Sequence, residues 1–152
     1  MTKFKDIGVN KELCKAVKEM GFETPTEVQN ESIPFLISHD RDLISLAQTG
    51  TGKTAAFGLP VIQKIDLNNK YVQAIILCPT RELCIQICKD LEAYSKYVSG
   101  LKILSVYGGT NIETQIKSLK KGIHIVVGTP GRTKDLIKRK VLKLELVDKV
   151  VL

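Results

Sequence analysis

No apolar run in this chain approaches the roughly 18 residues that a membrane span requires, and the opening MTKFKDIGVN lacks the apolar stretch of a secretory signal. These absences point to a cytoplasmic protein with no membrane partner. Potential metal ligands are sparse as well. The four cysteines (Cys14, Cys78, Cys84, Cys88) sit inside apolar patterns, while His39 and His124 fall in unrelated segments. With no second cysteine pair and no neighbouring histidine, buried reduced thiols are expected rather than a metal centre. There is also no internal repeat, low-complexity tract or linker, so the 152 residues are read as a single domain large enough for a real core.

The composition is that of an ordinary soluble globular protein, 43% hydrophobic and 26% charged. A net charge of +7 and a pI near 9.2 permit a polyanionic partner without identifying one. The most informative stretch is Ala47-Gln48-Thr49-Gly50-Thr51-Gly52-Lys53-Thr54, between the apolar run Leu43-Ile44-Ser45-Leu46 and the helix-compatible Thr54-Ala55-Ala56-Phe57. Strand, glycine loop and helix in that order describe a phosphate-binding loop. Its glycines let successive N–H groups face an anion at a helix N-terminus. Lys53 can reach the outer phosphates, and the Thr54 hydroxyl can ligate a magnesium ion that they carry. The strict pattern has glycine at position 47, where this chain has Ala47.

Asn10 is expected to cap a helix from Lys11 to Met20, and Thr26 a second running towards Ile37, which Pro34 should kink or interrupt. From residue 43 an alternation begins. Apolar, β-rich runs occur at 43–47, 74–78, 103–106, 123–128 and 147–152, with helical patterns at about 53–65, 81–97, 111–121 and 131–139. This predicts an open α/β fold: a mainly parallel sheet of about five strands with helices on both faces. Ligands bind such sheets beyond the carboxyl ends of the strands. There the chain places Pro79-Thr80-Arg81, Tyr107-Gly108-Gly109-Thr110 and Thr129-Pro130-Gly131-Arg132. Arginines, hydroxyls and open backbone N–H groups hold phosphates without reading bases, so these loops form a candidate second anion site. Apart from Glu82, which begins a helix beside Arg81, none of them supplies the acidic group that a phosphate-loop NTPase uses to hold magnesium, which suggests a fragment.

Together these residues resemble the first RecA-like domain of the DEAD-box ATP-dependent RNA helicases. GFETPTEVQ (21–29) is similar to the family's Q motif, and Phe4 lies 17 residues before Gly21, where the family has an isolated aromatic. AQTGTGKT resembles motif I, PTREL motif Ia, Gly108-Gly109 the GG motif and TPGR motif Ib. Val150-Val151-Leu152 resembles the strand leading into motif II. The resemblance implies a RecA-like P-loop NTPase domain cut off just before motif II, with residues 1–30 as the Q-motif region and 31–152 as part of the ATP-binding domain. ATP and Mg2+ are the implied cofactors. Phe4, Phe22, Thr24, Gln29 and residues 47–54 (Ala47 to Thr54) are the implied nucleotide site, with Lys53 and Thr54 catalytic and Thr54 on the metal. Gln29 is implied to read adenine, Phe4 to stack on it, and Thr26 to brace the phosphate loop. Pro79, Thr80, Arg81, Gly108, Gly109, Thr129, Pro130, Gly131 and Arg132 are implied to hold the sugar-phosphate backbone of single-stranded RNA. A second RecA-like domain is the implied partner. Two departures are Thr133-Lys134, where apolar residues are usual, and Cys84, where alanine is common. A stand-alone nucleotide- and RNA-binding module is the alternative. A kinase or GTPase sharing only the phosphate loop leaves residues 21–29 unexplained.

Overall fold

The sheet is built of four strands, all parallel, in the order β2-β3-β1-β4. The computed structural model describes residues 1–152 and divides into two compact units, 1–64 with 90–99 and 65–89 with 100–152.

In the first unit a short 3₁₀ helix, Phe4–Ile7, precedes α1 (Lys11–Glu19), α2 (Glu27–Ser38) and α3 (Lys53–Gln63). Asn10 caps α1 by accepting the Leu13 N–H at 3.0 Å, which turns Leu13, Ala16 and Val17 into the core. Thr26 and Gln29 form a capping box at the start of α2. Of the kink or interruption expected at Pro34, the interruption does not occur: α2 continues to Ser38. Helix α2 packs on α3 and Ile33 is wholly buried, so tertiary packing outweighs the missing backbone donor. Within α3, Gly58 admits a close neighbour: a Cβ there would lie 2.7 Å from Leu91 Cδ2, near the end of α4 (Arg81–Tyr94).

The second unit holds β1 (Ala74–Leu77), β2 (Ile103–Val106), β3 (Ile125–Gly128) and β4 (Lys149–Val151), with α5 (Ile112–Lys120) and α6 (Pro130–Lys138). Strand β3 is buried along its whole length, as the continuous apolar run requires of a central parallel strand. Its neighbours are in register with it, Ala74 and Ile103 both pairing with Ile125. Val72, Ile75, Val106, Ile116, Val126, Leu136 and Leu142 pack beside the sheet as one cluster.

The fifth strand expected at 43–47 is not formed. Residues 42–48 lie outside any strand, and Ile44 and Leu46 are 94% and 95% exposed. Apolar, β-prone residues make a strand only when a neighbour completes the hydrogen-bond ladder, and no strand pairs with this segment.

Candidate functional sites

The phosphate loop is shaped by its glycines. Gly50 and Gly52 have φ of +82° and +85°, a region that glycine enters without strain. Helix α3 then starts at Lys53 with no side-chain cap and no acidic residue in its first turn, which suits an anion at its positive end.

Two Q-motif side chains hold this loop by its backbone. Thr26 Oγ1 donates to the Thr51 carbonyl at 2.8 Å, and Gln29 Nε2 donates to the Gly52 carbonyl at 3.0 Å. Gln29 is 5% exposed, and its Oε1 accepts the Thr26 N–H at 3.0 Å, so the amide orientation is fixed. The approach needs glycine at 52, because a Cβ there would lie 2.3 Å from Gln29 Nε2. Within the loop, Thr51 Oγ1 donates to the Gln48 carbonyl and Lys53 Nζ to the Ala47 carbonyl, at 2.6 and 3.0 Å. Gln29, Ala47, Gln48, Thr51, Gly52 and Lys53 are thus brought together, with Thr54 following in the first turn of α3.

Other predicted residues stand differently. Thr49 is exposed, Phe22 and Thr24 are exposed without a hydrogen bond to the loop, and Phe4 is buried at 4% exposure. Gln29 keeps one N–H and one lone pair for any further partner, since one N–H serves the Gly52 carbonyl of the loop and one lone pair the Thr26 N–H of its own helix cap.

In the second unit, three of the predicted loops are linked. Thr80 Oγ1 accepts the Leu83 N–H and so caps α4. The Arg81 guanidinium lies over the Tyr107 ring, 4.8 Å from its centre, and near Gly109, whose φ is +80°. Arg132 donates from Nη1 to Gln115 Oε1 at 3.0 Å and from Nη2 to the Thr110 carbonyl at 3.2 Å. Pro79, Gly108, Pro130 and Gly131 are exposed, and nothing lies within 4 Å of where a Cβ would stand at Gly108 or Gly131. Thr129 is the N-cap residue of α6 and Pro130 its first residue.

A family model described as DEAD/DEAH box helicase matches residues 26–152. The chain belongs to this family. It is 52% identical over its whole length to the ATP-dependent RNA helicase CshA of Listeria monocytogenes, of which it covers 29%. It is 51% identical over 149 residues to the RNA helicase CrhR of Synechocystis, covering 98% of this chain and 30% of that protein. Among solved structures, a DEAD box protein from Methanococcus jannaschii superposes with a TM-score of 0.90 at 41% identity, over 97% of this chain and 40% of that one. S. cerevisiae Dbp5 bound to RNA and ADP BeF3 gives 0.84 at 29% identity, over 97% and 37%. This DEAD-box chain therefore spans about a third or less of the curated relatives' length.

Gln115 lies outside the loops that the sequence singles out for the second site, and the Tyr107 ring, inside one of them, takes a role under Arg81 that the sequence does not assign. Gln115 could have been found: it lies three residues after Ile112 and four before Leu119, a polar residue beside the apolar stripe of α5. The unusual Thr133 is 4% exposed and faces Gly128, where a Cβ would stand 2.2 Å from its Oγ1; that hydroxyl has no hydrogen-bond partner. Lys134 is exposed, so the change to polar residues there leaves α6 packed through Thr133 and Leu136. Cys84 is wholly buried, and burial, reinforced by Cys78, pushes its thiol up to about 12. All four cysteines are free thiols.

Proposed function

We propose that this chain is the N-terminal ATP- and RNA-binding part of an ATP-dependent RNA helicase that separates short duplexes using ATP binding and hydrolysis. The observation that carries the nucleotide half is the pair of bonds from Thr26 and Gln29 to the carbonyls of Thr51 and Gly52. They fix a phosphate cradle beside the very amide that the family resemblance assigns to adenine. The residues present fit a nucleotide: two glycines at positive φ, an uncapped helix start and a lysine within the loop. When bound, ATP with Mg2+ supplies the phosphoryl group and the cation that neutralises it. Lys53, exchanging the Ala47 carbonyl for phosphate oxygens, and the Thr54 hydroxyl are this chain's contributions, with Gly50 to Gly52 offering backbone N–H groups.

On the RNA side, Thr80, Arg81, Gly109, Thr129 and Arg132 hold the sugar-phosphate backbone, which gives grip without sequence preference. Residues 1–30 serve as the Q-motif region and 31–152 as part of the ATP-binding domain, with a second RecA-like domain in the whole protein completing the cleft. No helix is long and apolar enough to cross a membrane, and free thiols suit the cytoplasm, where we place the protein.

The test is titration of the chain with a fluorescent adenine nucleotide, competed by ATP and by GTP. Weak binding displaced by ATP in preference to GTP, lost in Lys53→Ala and without measurable hydrolysis, is the expected result. Equal displacement by GTP, or RNA-stimulated hydrolysis by this chain alone, would overturn it.

A further inference from the structure

The buried amide of Gln115 stands outside every motif discussed above, yet it joins two of the proposed RNA loops. Gln115 is 7% exposed on α5. Its Nε2 donates to the Tyr107 carbonyl at 3.2 Å and to Thr110 Oγ1 at 3.1 Å, while its Oε1 accepts from Arg132 Nη1 at 3.0 Å. Arg132 Nη2 closes the ring on the Thr110 carbonyl at 3.2 Å. Only one amide orientation satisfies this set. A flipped amide would set NH2 against guanidinium and oxygen against the Tyr107 carbonyl.

We infer that Gln115 is a positioning residue for RNA: its carboxamide fastens the Arg132 guanidinium to the Gly108-Gly109 loop, so that both meet the strand's backbone as one preformed piece. The inference rests on the reading that these loops hold RNA. Two of the guanidinium's five N–H groups are used in the ring, which leaves three for other partners. A long arginine held in place before RNA arrives loses less rotamer freedom on binding than a free one. Gln115 itself is covered and needs no contact with RNA.

The experiment measures affinity of the full chain for a fluorescent oligo-uridine single strand, across a salt series, for wild type, Gln115→Met, Gln115→Glu, Arg132→Ala and the Gln115→Met/Arg132→Ala double variant. Melting and adenine-nucleotide binding report folding of each. Gln115→Met is expected to weaken RNA binding about three- to tenfold, the effect of freeing one rotamer-rich side chain, and to add nothing further when Arg132 is already alanine. In Gln115→Glu one carboxylate oxygen pairs with Arg132 while the other faces the Tyr107 carbonyl in place of a donor, so melting is expected to fall and, in the folded protein, the salt slope falls by about one because that guanidinium no longer displaces a counterion. Full-strength RNA binding by either Gln115 variant, or losses that multiply in the double variant, would overturn the inference. If Arg132→Ala alone binds RNA as wild type does, the reading of these loops fails first and takes the inference with it. If Gln115→Met does not fold, Gln115→Leu takes its place in the same cycle with Arg132→Ala, with the same expected and overturning results.

Discussion

The two candidate sites are both strand-loop-helix arrangements in sequence, yet the chain builds them by different means. Around the phosphate loop, order comes from side chains gripping backbone: Thr26 and Gln29 reach the Thr51 and Gly52 carbonyls, while the apolar run leading into the loop stays unpaired with Ile44 and Leu46 in solvent. Around the GG and TPGR loops the order comes from a completed sheet, where β3 is paired on both sides and buried throughout. A loop tie needs only two residues of the right type nearby, whereas a strand needs a neighbour to share its ladder.

The sharpest way to separate the two modes is Gly52→Ala. Its φ of +85° and a Cβ 2.3 Å from Gln29 Nε2 combine left-handed strain with displacement of the amide. A loss of about 1–3 kcal/mol is expected, seen by urea unfolding, together with loss of nucleotide binding and retention of RNA binding. In the sheet, Gly128→Ala drives a methyl against Thr133 Oγ1 and Val106 Cγ2, at 2.2 and 2.8 Å. It is expected to cost about 1–3 kcal/mol and to be partly rescued by Thr133→Ala, with the nucleotide loop unaffected. An unrescued double variant would mean that something other than this contact sets the cost.

Two smaller effects refine the picture of the sheet unit. Thr133→Val replaces a buried hydroxyl that has no partner by a methyl of similar size, and should stabilise the chain by about 1 kcal/mol in the same unfolding assay. His124 is buried, and burial, with Lys102 nearby, holds its imidazole below 6.5. Asp66 and the Leu67 carbonyl oppose that shift without reversing it. Its Nδ1 accepts the Lys102 N–H at 3.0 Å, a bond that protonation there removes. The unfolded chain thus takes up the proton at higher pH than the folded one. The contribution is fully present above 6.5 and is lost as pH falls through the depressed folded value. Unfolding measured from pH 7.5 downward should show this loss, and His124→Gln should flatten it.

How much of this was legible beforehand depends on how local the cause is. The caps at Asn10 and Thr26, the glycine loop and the four paired strands follow from residue type and spacing, and all appear where the pattern put them to within a few residues. The strand at 43–47 did not, because pairing is a property of neighbours and not of the segment. Pro34 does not interrupt α2 because the packing of α2 on α3, which a single-helix view omits, outweighs the missing donor. Gln115 escaped because its importance lies in reaching Tyr107, Thr110 and Arg132 from another helix, contacts that no motif records.

The central claim, that this chain grips RNA by its backbone, is most directly tested at Arg81, which is exposed over Tyr107 and so can be removed without opening the core. The measurement is the salt dependence of oligo-uridine binding by Arg81→Ala against wild type. The account predicts weaker binding with a salt slope reduced by about one, equally on strands of other sequence. An unchanged slope, or a loss confined to one sequence, would contradict it.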